Sequence, residues 1–295
     1  MINKILNKLH VPGFHQPKPV VAVVRLAGVI GQGGNPVKPG LNAASLIRPI
    51  ERAFGMKHLQ AVALQINSPG GSPVQSSLIA QRIRALAAEK EMPVIAFCED
   101  VAASGGYWLA CAADEIYADD ASVIGSIGVI SGGFGFPQLI KRLGIERRVH
   151  TAGENKNMLD PFLRETPEDV EKLKDLQLDI HDAFKEMVRE RRGEKLKESE
   201  EKLFTGEFWT GRRALNFGLI DGLGELTSVL QERYGKQVQF RPVVRQKGWL
   251  RQKLGMAFGG GHGSSWLGSQ SGFDRWTDDI LTAIEERALW GRFGL

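Results

Sequence analysis

Cysteine is scarce, with only Cys98 and Cys111 in a chain of 295 residues. That excludes a disulfide framework, and the two lack metal-ligand spacing. They sit in the apolar runs "VIAFCED" and "WLACAAD", as buried structural thiols do, which fits a reducing compartment. Long hydrophobic runs are also missing. "VVAVV" at 20–24 is followed by Arg25, far short of the roughly 20 residues a membrane span needs. "MINKILNKLH" has no continuous apolar core and no small-residue cleavage site, so it does not read as a signal peptide. A large charge of one sign is absent too. Lys and Arg number 38 against 34 Asp and Glu, a net +4 with the signs interleaved, as in "RERRGEKLKESEEK" (189–202). Nucleic acid is therefore not an expected partner. No phosphate loop and no dinucleotide fingerprint after a strand occur, and no cofactor or metal is expected.

The chain does carry repeated strand–helix signals. "PVVAVVRLAG" reads as a buried strand, "NAASLIRPIERAF" (42–54) as a helix capped by Asn42, and "LQAVALQIN" (59–67) as a second strand. A helix over 73–90 starts at Pro73, a strand covers 93–99, a helix begins near Ser104, and a strand covers 115–119. "IGSIGVISGGFG" (124–135) combines a short strand with turns. A helix at 137–144 ends at Gly144, and "IERRVHTA" (145–152) reads as a strand. Thr166 caps a long helix over 166–192, and a helix, turn and short strand follow at 209–221. This alternation predicts an α/β fold with a mainly parallel sheet. Residues 19–235 form the expected main domain. Residues 1–18 place Ile2, Ile5, Leu6 and Leu9 on one helical face, suited to packing on protein or to a weak peripheral membrane contact. Residues 236–295 form a C-terminal extension, with "GKQVQFRPV" as one more strand, a Gly/Ser-rich linker at 258–272 and an amphipathic helix at 273–293. The expected location is cytoplasmic, with the inner membrane face open as a peripheral site.

"DVAASGGYWLACAAD" (100–114) carries the first candidate for chemistry. Ala102 breaks the Gly-x-Ser-x-Gly elbow, and Tyr107 breaks Ser-x-x-Lys. What remains is Ser104 at a strand-to-helix junction, where the helix dipole favours developing negative charge and Gly105 and Gly106 admit a close approach. Taken alone, Ser104 reads first as an N-cap followed by packing glycines. "INSPGGSP" (66–73) is a tight turn that leaves backbone N–H groups free, suited to an oxyanion hole or to an ordinary strand–helix turn. None of the six histidines lies in a motif. Lys156, in "TAGENKNMLDPF", is the better candidate base. A lysine acts as a base only when neutral, so its ordinary value near 10.4 must be lowered by burial or nearby donors.

"NSPGG", "AASGGYW", "GSIGV" and then a lysine, in that order, resemble the signal peptide peptidase A (protease IV) family over residues 20–235. The interval from Ser104 to Lys156, 156 − 104 = 52 residues, is similar to that of its short, single-repeat members. The resemblance implies a caseinolytic protease/crotonase-like fold of repeated β-β-α units. It implies Ser104 as nucleophile and Lys156 as general base, and an oxyanion hole made by the Gly71 and Ser104 N–H groups. Gly70 and Gly105 would shape the site, and the Ser126 hydroxyl would hold the lysine. It also implies a peptide substrate, such as signal peptide remnants, and a homo-oligomeric ring in which a neighbour can supply the lysine. Asn157 stands where the family commonly has Asp. The competing expectations are a silent ring scaffold or peptide-binding adaptor, and a crotonase-type acyl-CoA enzyme.

Overall fold

The β-branched run after Pro19 forms β1 (Val20–Ala27), which pairs in parallel with β2 (Leu59–Ser68). In this computed structural model residues 18–31, 40–243, 284 and 287–295 are described. The expectations for the N-terminal amphipathic segment and the Gly/Ser linker lie outside those residues. β2 pairs in parallel with β3 (Val94–Ala103), and β1 pairs with β8 (Gln239–Pro242) on its other side. The sheet therefore runs past the expected boundary at 235. β3 is long enough to fork the sheet. Ile95–Cys98 pair with β4 (Glu115–Ala118), and Val101–Ala103 pair with β5 (Val123–Gly125). β4 also pairs with β7 (Gly222–Leu223), and β6 (Phe208–Thr210) closes the β5 edge in the one antiparallel pairing among the described strands. The mixed α/β fold with a mainly parallel sheet is as expected.

Alternation along the central strands divides the core. Ala22, Val24, Leu26, Val62, Leu64 and Ile66 face one side and pack against helices α1 (Ala43–Phe54), α2 (Pro73–Lys90) and α3 (Gly105–Ala110), with Phe184 and Val188 of the long α5 (Pro167–Arg192). Val21, Val23, Ala61, Ala63, Ile95 and Phe97 face the other and meet Leu230 of α8 (Leu226–Tyr234). Both faces are covered, which is why these strands read as continuous apolar runs. The predicted caps are present. Asn42 accepts from Ser45 N–H and Thr166 from Asp169 N–H, each satisfying an otherwise orphaned donor. An ion cluster around the buried Arg192 ties α5 to the turn before β7. Asp221 accepts from Arg192 at 2.6 Å and Lys195 at 2.8 Å, while Arg192 also donates to Gly218 O.

Two sequence expectations fail. The strand predicted over 93–99 continues to Ala103 and meets α3 directly, with no loop between. Residues 145–151 form no strand. Ile145 and Val149 are exposed, Arg147 pairs with Asp160, and Arg148 pairs with Glu146. With no neighbouring edge to bond, β-propensity alone does not make a strand. The wider segment is also unusual, because residues 128–183 contain no buried residue. Ile130, Phe134, Leu139, Leu143, Ile145 and Leu163 are all more than half exposed there, Phe134 at 78%. Within it α4 (Pro137–Arg142) has no buried residue, and Phe136 packs near Phe134 and Phe162.

Candidate active site

The site forms where three parallel strands end side by side. The pairing Ser68↔Ala102 sets the turn after β2 beside the end of β3, and Ala103↔Gly125 sets β5 on the other flank. Ser104 and Ser126 are thus neighbours, each the first residue after its strand. Both have left-handed backbone, φ 52° and 53°, which is costly for a non-glycine residue and marks a constrained position. Ser104 passes straight from β3 into α3, and its side chain makes no capping hydrogen bond. The simple N-cap reading therefore fails. Ser126 is buried, and its N–H donates to Glu207 O at 2.7 Å.

The glycine turn packs on this junction. A Cβ on Gly70 would lie 2.8 Å from Ser104 Cβ and 2.9 Å from Gly105 N. A Cβ on Gly71 would lie 2.0 Å from Ile30 O. Ile30 fixes the turn by donating to Gly70 O at 2.8 Å and accepting from Ser72 N–H at 2.7 Å. That bridge passes over Gly71, whose N–H has no acceptor among the described residues. The Gly105 N–H, in the first turn of α3, likewise has none. The Ser104 N–H is engaged instead, donating to Gly125 O at 2.8 Å. The free donors beside Ser104 are thus Gly71 and Gly105, not the expected Gly71 and Ser104. The left-handed turn at Ser104 directs its own N–H into the sheet and leaves the next one free.

Gly71, Ser104 and Gly105 line a cleft of about 210 Å³ walled by Trp108, Val129, Ile130, Ile180 and Phe184 among others. Trp108 stacks on Phe184 at 4.7 Å. Through Pro73, Trp108 and Ile180 the cleft adjoins a larger cavity of about 710 Å³ between α2 and α5. Sequence reasoning missed this apolar wall, because Trp108 and Phe184 meet only where α3 packs on α5.

Lys156 is not brought to the cleft within one chain. It is exposed, in a turn at 154–159, and its N–H donates to Gly153 O at 3.2 Å. Lys172 donates to the adjacent Asn155 at 2.6 Å and ties that turn to α5. Neither the Lys156 amine nor the Ser104 and Ser126 hydroxyls have a hydrogen-bond partner among the described residues. The two cysteines are buried and free, and burial pushes both thiols up, Cys111 to about 12.

The family model described as Peptidase family S49 matches residues 87–239, from the end of α2 to the start of β8 and including Ser104, Ser126 and Lys156. The chain belongs to peptidase family S49. Relatives of the S49 chain include a Brucella melitensis protein named Na(+)/H(+) antiporter NhaA, 49% identical over 99% of this chain and 39% of that protein. Another is the chloroplastic serine protease SPPA of Arabidopsis thaliana, 33% identical over 71% of this chain and 31% of that protein. The chain thus spans less than half the length of either. Among solved structures, a membrane-bound stomatin-specific protease carrying a lysine-to-alanine substitution and a substrate peptide is 16% identical. It has a TM-score of 0.49, with 81% of this chain and 99% of that chain covered. Among the described residues no helix is long and apolar enough to cross a membrane.

Proposed function

We propose that this S49 chain is a serine endopeptidase in which Ser104 is the nucleophile and Lys156, from a neighbouring copy, is the general base. The observation that carries the reading is Ser104 at a strained strand–helix junction beside two free N–H donors, Gly71 and Gly105. The neutral lysine takes the Ser104 hydroxyl proton as the oxygen bonds to the peptide carbonyl carbon. The Gly71 and Gly105 N–H groups hold the resulting oxyanion. The tetrahedral intermediate collapses, the C–N bond breaks, and the lysinium proton goes to the leaving amine. Water, deprotonated by the same lysine, then releases the acyl group and restores Ser104. The Ser126 hydroxyl, adjacent through the β3–β5 pairing, orients the amine.

The neighbouring copy enters because Lys156 lies outside the cleft on a segment with no buried residue and many exposed apolar side chains. Such a surface is suited to covering by a second subunit, and a head-to-tail contact closes into a ring. The apolar cleft suits hydrophobic peptides, with signal peptide remnants and other membrane-associated peptides as the substrate class.

A serine-directed fluorophosphonate tests this directly. The reagent should modify Ser104, identified by mass spectrometry of the labelled peptide, and Ser104→Ala should abolish both labelling and peptide hydrolysis. Undiminished hydrolysis by Ser104→Ala refutes the assignment. An assembled protein that never labels points to a scaffold instead.

A further inference from the structure

The Ser104 cleft is lined partly by the far end of the same chain. Leu289 and Arg292 belong to its wall together with Gly71, Ser104 and Gly105. Residues 287–291 are helical, and the last turn is closed by Phe293 N–H donating to Trp290 O at 2.9 Å. The Phe293 ring meets Phe208 edge-on, with centroids 5.0 Å apart. Phe208 stands opposite Gly125 in the β5–β6 pairing, and Gly125 O is the acceptor of the Ser104 N–H. The aromatic anchor is therefore one strand pairing from the candidate nucleophile. Leu289, Trp290 and Phe293 are half-buried, whereas Arg287, Ala288, Gly291 and Arg292 are exposed. This is the one-sided pattern of an amphipathic helix laid on a surface. Among the described residues its anchors are few, and Phe208 stays 43% exposed beneath it.

We propose that residues 287–295 act as an internal competitor of peptide substrate, with Leu289 walling the Ser104 cleft and narrowing the room left for a peptide, and Phe293 clipped to Phe208. The proposal rests on the reading of Ser104 as a peptidase nucleophile. A segment held by so few side chains is displaceable, so it sets a threshold for substrate instead of closing the site permanently. The apolar side chains that hold it are of the kind proposed for the substrate. A cleft narrowed from within binds substrate with an apparent affinity reduced by the fraction of time the segment is displaced, so kcat/KM falls while kcat at saturation is kept.

The test uses the full chain carrying Leu289→Glu and Phe293→Ala together, and separately Phe208→Ala. For a fluorogenic apolar peptide, the double variant should show kcat/KM raised about three- to tenfold through KM, with kcat little changed. A synthetic peptide of residues 284–295 should inhibit the double variant competitively, and the same peptide with both substitutions should not. A readout independent of turnover is anisotropy of the fluorescein-labelled peptide added to the double variant that also carries Ser104→Ala. Binding there, lost when Phe208→Ala is added, supports the proposal even if no form of the protein hydrolyses peptides. In that case the peptidase reading fails and the docking stands. Absence of peptide binding, or binding unaffected by Phe208→Ala, overturns the docking whatever the hydrolysis shows.

Discussion

Mixing two inactive variants decides which subunit supplies the base. Lys156 is exposed in a turn outside the cleft, and no residue from 128 to 183 is buried. If the base acts on a neighbour, each site takes serine from one subunit and lysine from the next. Ser104→Ala and Lys156→Ala alone each leave roughly 10⁻⁴ of wild-type activity or less, as expected for members of one catalytic unit. In a randomly assembled equal mixture, half the subunits retain serine and half retain lysine. A working site needs an intact serine beside an intact lysine, so about one half times one half, or one quarter, of sites recover in a head-to-tail assembly of any size. If Lys156 acted within its own subunit, no site in the mixture would contain both groups. The assay is hydrolysis of a fluorogenic peptide after co-refolding, with mixed oligomers verified by native mass spectrometry. Mixed oligomers that stay at the single-variant level would refute the shared-site arrangement.

Three further outcomes follow from the fold. Gly70→Ala places a Cβ 2.8 Å from Ser104 Cβ at a φ of +107°. It should lower hydrolysis about 10²-fold or more through misplacement of the nucleophile, with melting temperature down by only a few degrees. Asp221→Ala strands the buried Arg192 and should cost about 3–5 kcal/mol, measured by urea unfolding. Burial raises the Asp221 carboxyl, but hydrogen bonds from Arg192 and Lys195 outweigh it and hold it below its ordinary 3.8. Its contribution is therefore present above about pH 4 and lost as pH falls through the lowered value. The Asp221→Ala penalty should shrink correspondingly in acid, and an equal penalty at pH 3 and pH 7 contradicts the pairing. Cys98 and Cys111, both buried and raised, should resist a thiol reagent at pH 8 in the native protein and react fully in denaturant. Equal rates in the two states would disprove their burial.

Much of the fold was legible because local chemistry and tertiary packing agree. Pro73 and Lys90 bound α2 as read, and Asn42 and Thr166 cap the helices they precede. The continuous apolar strands announced a sheet covered on both faces. Where the reading failed, the deciding partner lay far along the chain. Residues 145–151 have strand-like composition and no edge to join. β3 extends to Ala103 because its end pairs with β5, Val101 opposite Val123, a contact beyond the reach of any local motif. β8, the strand read after 235, joins the sheet only because it returns to β1 from the other end of the domain.

The same division holds at the site. The sequence by itself determined which residues are available for chemistry: a serine at a strand–helix junction, a glycine turn that tolerates positive φ, a second serine and a loop lysine. Those are properties of short segments, set by side-chain chemistry and backbone freedom. Only the tertiary structure decided which N–H groups are free. The Ser104 amide is consumed by Gly125 O across a strand pairing that no local motif encodes, which leaves Gly71 and Gly105. It also decided that Lys156 stays away from the Ser104 cleft within one chain while Leu289 and Arg292 reach it. Proximity between residues dozens to hundreds of positions apart is set by how the strands register and how the helices pack over them.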